Sequence, residues 1–306
     1  MRYDDPVQAP LVVGLGRIGV AISGLGPNLP GVDAAAPTDI AALAPTPAPG
    51  VAVALRAAVR LGCRGRAVGT HGADLLGQLV RSALRDAGID TERLRAVGTS
   101  ACDLVLVAGD GNLRAHYRGD RGEPVSIDYR AALAGAAALL IDGSDPREQL
   151  IVAELARNQN VPVIFDVSEL REGTSDLISA CDILIASERE ASELAPRGEL
   201  TDALDELVQL GPRAVVITLG AEGAIGRHGE RVVRCPAFEQ PEMLDSYGAG
   251  SVFHGAFAAA LLSELPFARC MELAAAAASL SVRELGPWTA MPSRDQVLAL
   301  TRTRRA

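Results

Sequence analysis

Asp245-Ser246-Tyr247-Gly248-Ala249-Gly250-Ser251 is the most informative stretch of this chain, and an apolar run that begins Val252-Phe253-His254-Gly255 follows it directly. A glycine-rich turn that leads into a helix presents backbone N–H groups without intrahelical partners, and the helix dipole adds to their attraction for negative charge. Such a turn can hold a phosphoryl group while it is transferred. The stretch therefore predicts an anion site followed by a buried helix.

This segment resembles the C-terminal signature of the ribokinase/PfkB carbohydrate kinases, which usually reads Asp-Thr-x-Gly-Ala-Gly-Asp. The resemblance implies that Gly248, Ala249 and Gly250 form an anion hole. In that family the final Asp takes the proton from the sugar hydroxyl, but this chain has Ser251 there. A serine hydroxyl cannot hold a proton at neutral pH as a carboxylate can, so the resemblance implies that the general base is missing.

His254 is a candidate substitute for that base. It lies three residues after Ser251, so both side chains point to one face of a helix, and an imidazole accepts a proton near pH 7. The alternative is a histidine on the helix face near the pocket without a role in proton transfer.

The resemblance extends from Leu11 to Leu300 and includes the nucleotide side of the family site. Thr218-Leu219-Gly220, with Gly223 after it, matches a nucleotide-binding Thr-Leu-Gly-x-x-Gly. Ser187 to Glu190 stands where the family has Asn-x-x-Glu, which is tied to Mg²⁺ and phosphate positioning. The resemblance therefore implies ATP and Mg²⁺ as cofactors, with Glu190 acting on Mg²⁺ indirectly. The alternative for this segment is an N-capping Ser187 followed by an acidic first helical turn.

The acceptor side departs from the family pattern. Ala21 stands in place of an Asp that grips a sugar hydroxyl, the pair Ala48-Pro49 replaces Gly-Gly, and Val53 replaces a substrate-binding Asn. Valine cannot hydrogen-bond a hydroxyl, and loss of the glycine pair removes a close approach of backbone to ligand. Together with Ser251, these departures predict a degenerate acceptor site.

The order of predicted elements indicates an α/β fold. Strands are predicted at 11–13, 65–69, 137–141, 161–166, 183–185 and 214–219, with hairpins at 102–117 and 224–235, and helices at 51–61, 75–87, 147–158, 175–180, 267–284 and 293–300. Alternating strands and helices predict a parallel sheet with helices on both faces. The resemblance implies one ribokinase-like three-layer αβα domain over residues 1–306. It also implies a small or reduced β lid within 21–50 and 100–119.

One motif favours a different class of protein. Residues 14–19 read Gly-x-Gly-x-x-Gly after a strand, which is the dinucleotide fingerprint. That fingerprint requires a helix next, but residues 23–31 contain three glycines and two prolines, too closely spaced for a helix to form. The dehydrogenase interpretation is therefore set aside.

Bulk properties limit the partners. The 306 residues carry a formal net charge of -9, which argues against nucleic acid or an anionic membrane surface as partners. The resemblance implies a small-molecule ligand, namely a nucleotide, with a sugar as a second candidate. The five cysteines are widely spaced, which favours buried thiols in a reducing compartment. The first ten residues lack a signal pattern, so a cytoplasmic protein is expected.

A homodimer is possible, but one mediated by the lid is doubtful because residues 27–50 contain few strand formers.

The resemblance implies a PfkB-type sugar-kinase fold whose ATP-dependent phosphoryl transfer to a sugar hydroxyl is impaired or absent, and three interpretations of function remain open. The first is an active sugar or small-alcohol kinase with an altered site and reduced turnover. The second, which the lost base and acceptor contacts favour, is a non-catalytic pseudokinase that binds a nucleotide or metabolite as a regulator. The third is an enzyme repurposed for different chemistry.

Overall fold

The computed structural model describes residues 9–26, 39–107, 113–118, 126–196, 198–240 and 242–304, with only the backbone described for 113–118. The strands are β1 Leu11–Leu15, β2 Val20–Leu25, β3 Ala42–Pro47, β4 Arg64–His71, β5 Ile89–Ala96, β6 Cys102–Val107, β7 Leu113–Arg118, β8 Ala136–Ile141, β9 Val163–Val167, β10 Ile183–Ser187, β11 Ala214–Thr218, β12 Ala224–His228 and β13 Arg231–Cys235. The helices are α1 Val51–Arg60, α2 Leu75–Asp86, α3 Tyr129–Leu133, α4 Pro146–Arg157, α5 Thr174–Ala180, α6 Glu188–Leu194, α7 Leu200–Gln209, α8 Ala249–Leu262, α9 Phe267–Ser281 and α10 Arg294–Thr303.

The main sheet has nine strands in the order β13-β12-β11-β10-β9-β8-β1-β4-β5. The strands from β11 to β5 run parallel, and β12 and β13 add an antiparallel hairpin at one edge. Parallel strands joined by helices need cover on both faces, and the predicted mostly parallel sheet is confirmed.

Alternate residues of the central strands belong to two separate hydrophobic cores, one on each face of the sheet. Val12, Leu140 and Ile164 face a core shared with α1, α2, α8 and α9. Leu139, Ile141 and Phe165 face a second core shared with α4, α5 and α7. The period-two alternation of a strand produces this division, and the predicted αβα layering is confirmed.

A second sheet has the order β3-β2-β6-β7. Its strands lie within the two ranges, 21–50 and 100–119, where lid elements are predicted, apart from the first residue of β2. The central parts of those ranges, residues 27–38 and 108–112, lie outside the described residues. The role of this sheet as a lid stays a prediction.

The strand β2 directly follows Gly19, so the absence of a helix after the Gly-x-Gly-x-x-Gly stretch is confirmed. Within the described ranges, no helix combines the length and the apolar composition that a membrane span requires.

Three element predictions need correction. The sequence did not predict strand β5, which begins at Ile89 directly after Gly88. The sequence did not predict α7, although its buried Ala203, Leu204 and Leu207 have helical spacing. The helix predicted to reach 284 ends at Ser281, because the next carbonyl, that of Val282, accepts the N–H groups of Leu244 and Asp245.

Candidate functional site

A polar cavity lies where several parallel strands of the main sheet end. Its lining residues come from the ends of β1 and β8, from the start of α1, from β6 and from the start of α8, and they are Arg17, Pro49, Gly50, Asp103, Asp142, Ser144, Ser168, Glu169, Tyr247 and Ser251. In open α/β sheets, ligands bind outside the carboxyl ends of the strands. The cavity is therefore the candidate site.

The predicted glycine turn has a defined shape. Gly248 precedes α8 with φ 84, a left-handed conformation that a side chain disfavours. The buried carboxylate of Asp245 accepts the N–H of Tyr247 at one oxygen and the N–H of Gly286 at the other, both at 2.8 Å. Burial raises the pKa of Asp245. This carboxylate fixes the turn and does not line the cavity.

The backbone N–H groups of Gly250 and Ser251 have no hydrogen-bond partner in the part of the chain that the structure describes. Both lie in the first turn of α8, where a helix leaves its donors unpaired. A Cβ at Gly250 would meet no atom within 4 Å. The geometry that an anion hole requires is thus present, and its occupation by a phosphoryl group stays a prediction.

The Ser251 side chain lies between the turn and the cavity. It is 7% exposed, and its Oγ accepts the N–H of Gly50 at 2.7 Å. Gly50 is the N-cap of α1 with φ 106, so the N-terminal ends of α1 and α8 meet at this hydrogen bond. Ser251 therefore lines the cavity, and its correspondence to the family base stays a prediction.

His254 lies elsewhere. Its ring is 1% exposed and packs against β9, with Nε2 3.2 Å from the carbonyl oxygen of Ile164 and Nδ1 3.9 Å from Asp166 Oδ2. Burial lowers the pKa of His254 to about 4. Burial, with the nearby charges of Asp142 and Glu190, raises the pKa of Asp166 well above its usual value. Because His254 does not line the cavity, the structure argues against it as a substitute base.

Glu190 is engaged by its own helix. Oε2 accepts the backbone N–H of Ser187 at 3.2 Å and the Ser187 hydroxyl, while Oε1 is paired with Arg189. This is the capping arrangement that the alternative interpretation predicts, and it leaves neither oxygen as a free ligand for Mg²⁺. No group of three or more metal-ligating side chains occurs among the described residues. An indirect role of Glu190 toward Mg²⁺ stays a prediction.

The predicted nucleotide-side residues lie together at the end of β11. Thr218 ends the strand and pairs in register with Ser187 of β10, so it lies beside the start of α6. Gly220 and Gly223 follow in a tight turn, with φ 57 and 99. This group is three strand positions away from β8 and does not line the cavity.

The two predicted acceptor-side positions are part of the core. Ala21 and Val53 are both fully buried, and neither lines the cavity. Ala48 of the Ala48-Pro49 pair is also buried, whereas Pro49 lines the cavity. Apolar packing thus occupies Ala21 and Val53, and their correspondence to ligand contacts of the family stays a prediction.

Sequence reasoning missed a buried ionic cluster. The Arg17 guanidinium contacts both carboxylate oxygens of Asp103, and the Tyr247 hydroxyl donates to Asp103 Oδ2 at 2.7 Å. Asp103 belongs to β6, so the cluster connects the second sheet to the main one. Arg17 lies inside the glycine-rich stretch after β1, but its partner is 86 positions away, and no local signal joins them.

Asp142 was also missed. It directly follows β8, is 2% exposed, and accepts three N–H groups, from Arg17, Ser144 and Gln149, each at 2.9 Å. Its place immediately after a buried parallel strand is the signal that could have indicated it.

The comparisons with known proteins agree with this architecture. Residues 50–294 match the family model described as pfkB family carbohydrate kinase. Ribokinase from Arabidopsis thaliana is 29% identical over 257 residues, which cover 76% of this chain and 66% of that protein. Its structure in complex with ribose and ATP superposes with a TM-score of 0.83 at 25% identity, covering 96% of this chain and 99% of that one. A putative ribokinase from Agrobacterium tumefaciens has a TM-score of 0.88 at 22% identity, covering 97% and 99%. The ribokinase-like fold is confirmed, and the chain belongs to the pfkB family of carbohydrate kinases.

Proposed function

We propose that this protein binds Mg-ATP together with a small hydroxyl compound, a sugar or a small alcohol, and transfers the γ-phosphoryl group to that hydroxyl slowly. The observation that carries the proposal is the position of Ser251. Ser251 lines a polar cavity at the start of α8, where the N–H groups of Gly250 and Ser251 lack partners among the described residues, and the sequence motif predicts that this is the position of the family's catalytic Asp.

The glycine turn supports binding of the transferred group. Negative charge on the phosphoryl oxygens is stabilised by N–H donors that are already in place and by the helix N-terminus. The N–H groups of Gly250 and Ser251 at the start of α8 offer both features. Mg²⁺ bound to the nucleotide neutralises phosphate charge, and Glu190 acts on it only at a distance because its oxygens are engaged.

The nucleotide is expected along the ends of β10 and β11. Thr218, Gly220 and Gly223 leave backbone exposed at that edge of the sheet, next to the start of α6. A relative of this chain was solved with ribose and ATP together, which supports a site that takes both.

The absence of a carboxylate at position 251 favours a slow reaction. Removal of a general base costs about 10²–10⁴ in rate, and kinases of this kind turn over at about 1–100 per second. A rate of about 10⁻⁴–1 per second follows for a site that keeps its positioning and charge stabilisation. Because phosphoryl transfer depends mainly on those two factors, loss of a base slows the reaction without abolishing it.

A second candidate is a non-catalytic protein that binds a nucleotide or metabolite. The observation in its favour is the apolar packing at Ala21 and Val53, which removes two acceptor contacts. In this case nucleotide binding is retained, and turnover is absent with every acceptor.

One pair of assays separates the two candidates. Purified protein with Mg-ATP is incubated with a panel that contains D-ribose, D-fructose, 2-deoxyribose and glycerol, and ADP formation is followed. The proposal predicts ADP formation with at least one acceptor, at a rate below about one per second. ADP binding by calorimetry without any turnover supports the second candidate, and absence of both results contradicts both.

A further inference from the structure

We infer that the Asp142 carboxylate accepts the proton of the acceptor hydroxyl during phosphoryl transfer, in place of the carboxylate that is missing at position 251. The inference rests on the proposed function and names the group that sustains its residual rate.

Asp142 and Ser251 approach the same glycine from two elements of the fold. Ser251 Oγ accepts the N–H of Gly50 at 2.7 Å, and a Cβ built on Gly50 would lie 3.1 Å from Asp142 Oδ2. Both side chains line the cavity. A hydroxyl bound there is therefore within reach of a carboxylate as well as of the glycine turn.

The carboxylate keeps acceptor capacity for a ligand. Its Oδ1 accepts from the Ser144 N–H and the Gln149 side-chain amide, and its Oδ2 accepts from the Arg17 N–H. A carboxylate offers about four lone-pair sites, so one site on Oδ2 remains. The three donors hold the group in one orientation.

Two glycines allow the chain to pack closely around the Asp142 carboxylate. A Cβ on Gly16 would lie 2.4 Å from Asp142 Oδ2, which no real side chain tolerates, and one on Gly50 would lie 3.1 Å from the same oxygen. Asp142 is 2% exposed, so close packing at these glycines, together with the three N–H donors, fixes the carboxylate in the cavity wall.

The other carboxylates of the cavity are paired with cationic side chains. Asp103 is paired with Arg17, and Glu169 with Arg171. Within the described part of the chain, Asp142 is the lining carboxylate without a salt bridge. Neutralised carboxylates are poor proton acceptors, so Asp142 is the group in this cavity best suited to the role.

The step is balanced without a further reactant. The acceptor oxygen forms a bond to the γ-phosphorus while the bond between that phosphorus and the β,γ-bridging oxygen breaks. The hydroxyl proton moves to Asp142 Oδ2 and is then released to water, and ADP leaves. The N–H groups of Gly250 and Ser251 face the negative charge of the transferred group.

A double-mutant cycle tests the inference. The chain, Asp142→Asn, Ser251→Asp and the double variant are assayed with Mg-ATP and D-ribose, or with the best acceptor of the panel if D-ribose is not turned over. Asp142→Asn is expected to lower kcat by at least about tenfold in the unaltered chain, since a general base contributes about 10²–10⁴. In the Ser251→Asp background the family base is restored, and the same change is expected to cost less than about threefold.

Asp145→Asn is the matched control. Asp145 lies in the same loop, accepts the Glu148 N–H at 3.1 Å, and does not line the cavity, so its substitution leaves kcat unchanged. If Asp142→Asn no longer binds ADP in calorimetry, Asp142→Ser replaces it in the cycle, because a hydroxyl can still accept an N–H.

Three other outcomes would overturn the inference, and they can be distinguished from one another. An equal loss of kcat in both backgrounds assigns Asp142 a structural role and leaves the proposed function intact. An inactive natural chain with an active Ser251→Asp variant removes Asp142 as a base while keeping the kinase site. No turnover by either protein with any acceptor of the panel overturns both proposals.

Discussion

The backbone N–H of Gly50 donates a hydrogen bond of 2.7 Å to Ser251 Oγ, across 201 positions of the chain. The bond joins the N-cap of α1 to the first turn of α8 at the wall of the cavity. It gives Ser251 a structural role, whatever its part in the proposed reaction.

Ser251→Ala is expected to destabilise the protein, because it leaves the buried N–H of Gly50 without a partner. An unsatisfied buried donor costs about 1–3 kcal/mol, and urea denaturation measures the change in the free energy of unfolding. Ser263→Ala is the control, since Ser263 is exposed at the end of the same helix. Equal stabilities of Ser251→Ala and the control would show that the Gly50 bond contributes nothing.

The Arg17–Asp103 pair connects the two sheets, and its side chains are 8% and 1% exposed. Arg17→Met leaves a buried carboxylate without its cation, which typically costs about 3–5 kcal/mol. The exposed pair Arg147–Glu172, with side chains 80% and 88% exposed, provides the control: Glu172→Gln changes stability by less than about 1 kcal/mol. Similar urea midpoints for Arg17→Met and Glu172→Gln would contradict the assignment of a buried ionic cluster.

Close packing of α1 against α8 depends on Gly255. A Cβ at this position would lie 1.9 Å from the carbonyl oxygen of Ala54, so the two helices touch through their backbones. Gly255→Ala is expected to destabilise the protein by about 1–3 kcal/mol through overpacking, although alanine has the higher helix propensity. A thermal midpoint at or above that of the unaltered protein would show that the helices are further apart.

The buried His254 makes the free energy of unfolding depend on pH. Burial lowers its pKa from 6.5 to about 4, so between these pH values the unfolded chain binds a proton that the folded chain does not. The free energy of unfolding therefore falls as the pH falls through this window, by about 1.4 kcal/mol per unit at most. Asp166 acts in the opposite sense, because its pKa is raised well above the usual value and the folded state holds its proton longer.

The difference between the unaltered protein and His254→Gln isolates the histidine. Urea denaturation from pH 7 to pH 4 is expected to show the unaltered protein losing up to about 3 kcal/mol relative to the variant. Parallel pH profiles of the two proteins would mean that His254 is not buried in its neutral form.

Much of the fold could be predicted from local patterns. Buried strands that alternate with helices predicted the parallel sheet, and the Gly248-Ala249-Gly250 turn predicted the start of α8. The helix α7 was missed although Ala203, Leu204 and Leu207 have helical spacing, whereas the pairing of Arg17 with Asp103 joins residues 86 positions apart and has no local signal.

Less of the candidate site than of the fold could be predicted from the sequence. The position of Ser251 at the cavity followed from the motif, whereas His254 lies on the expected helix but turns toward β9 and Asp166. Asp142 carries no motif, and its importance depends on its closeness to Gly16 and Gly50. Such contacts arise only when separate elements pack together.

The most direct test of the account is the turnover of Ser251→Asp with Mg-ATP and the acceptor panel, compared with the unaltered protein. If the turn holds the phosphoryl group and a hydroxyl has replaced the base, kcat rises by at least about tenfold, which is part of the about 10²–10⁴ that a general base contributes. An unchanged or lower kcat in a variant that folds and binds ADP normally would contradict the assignment of Ser251 to the position of the base.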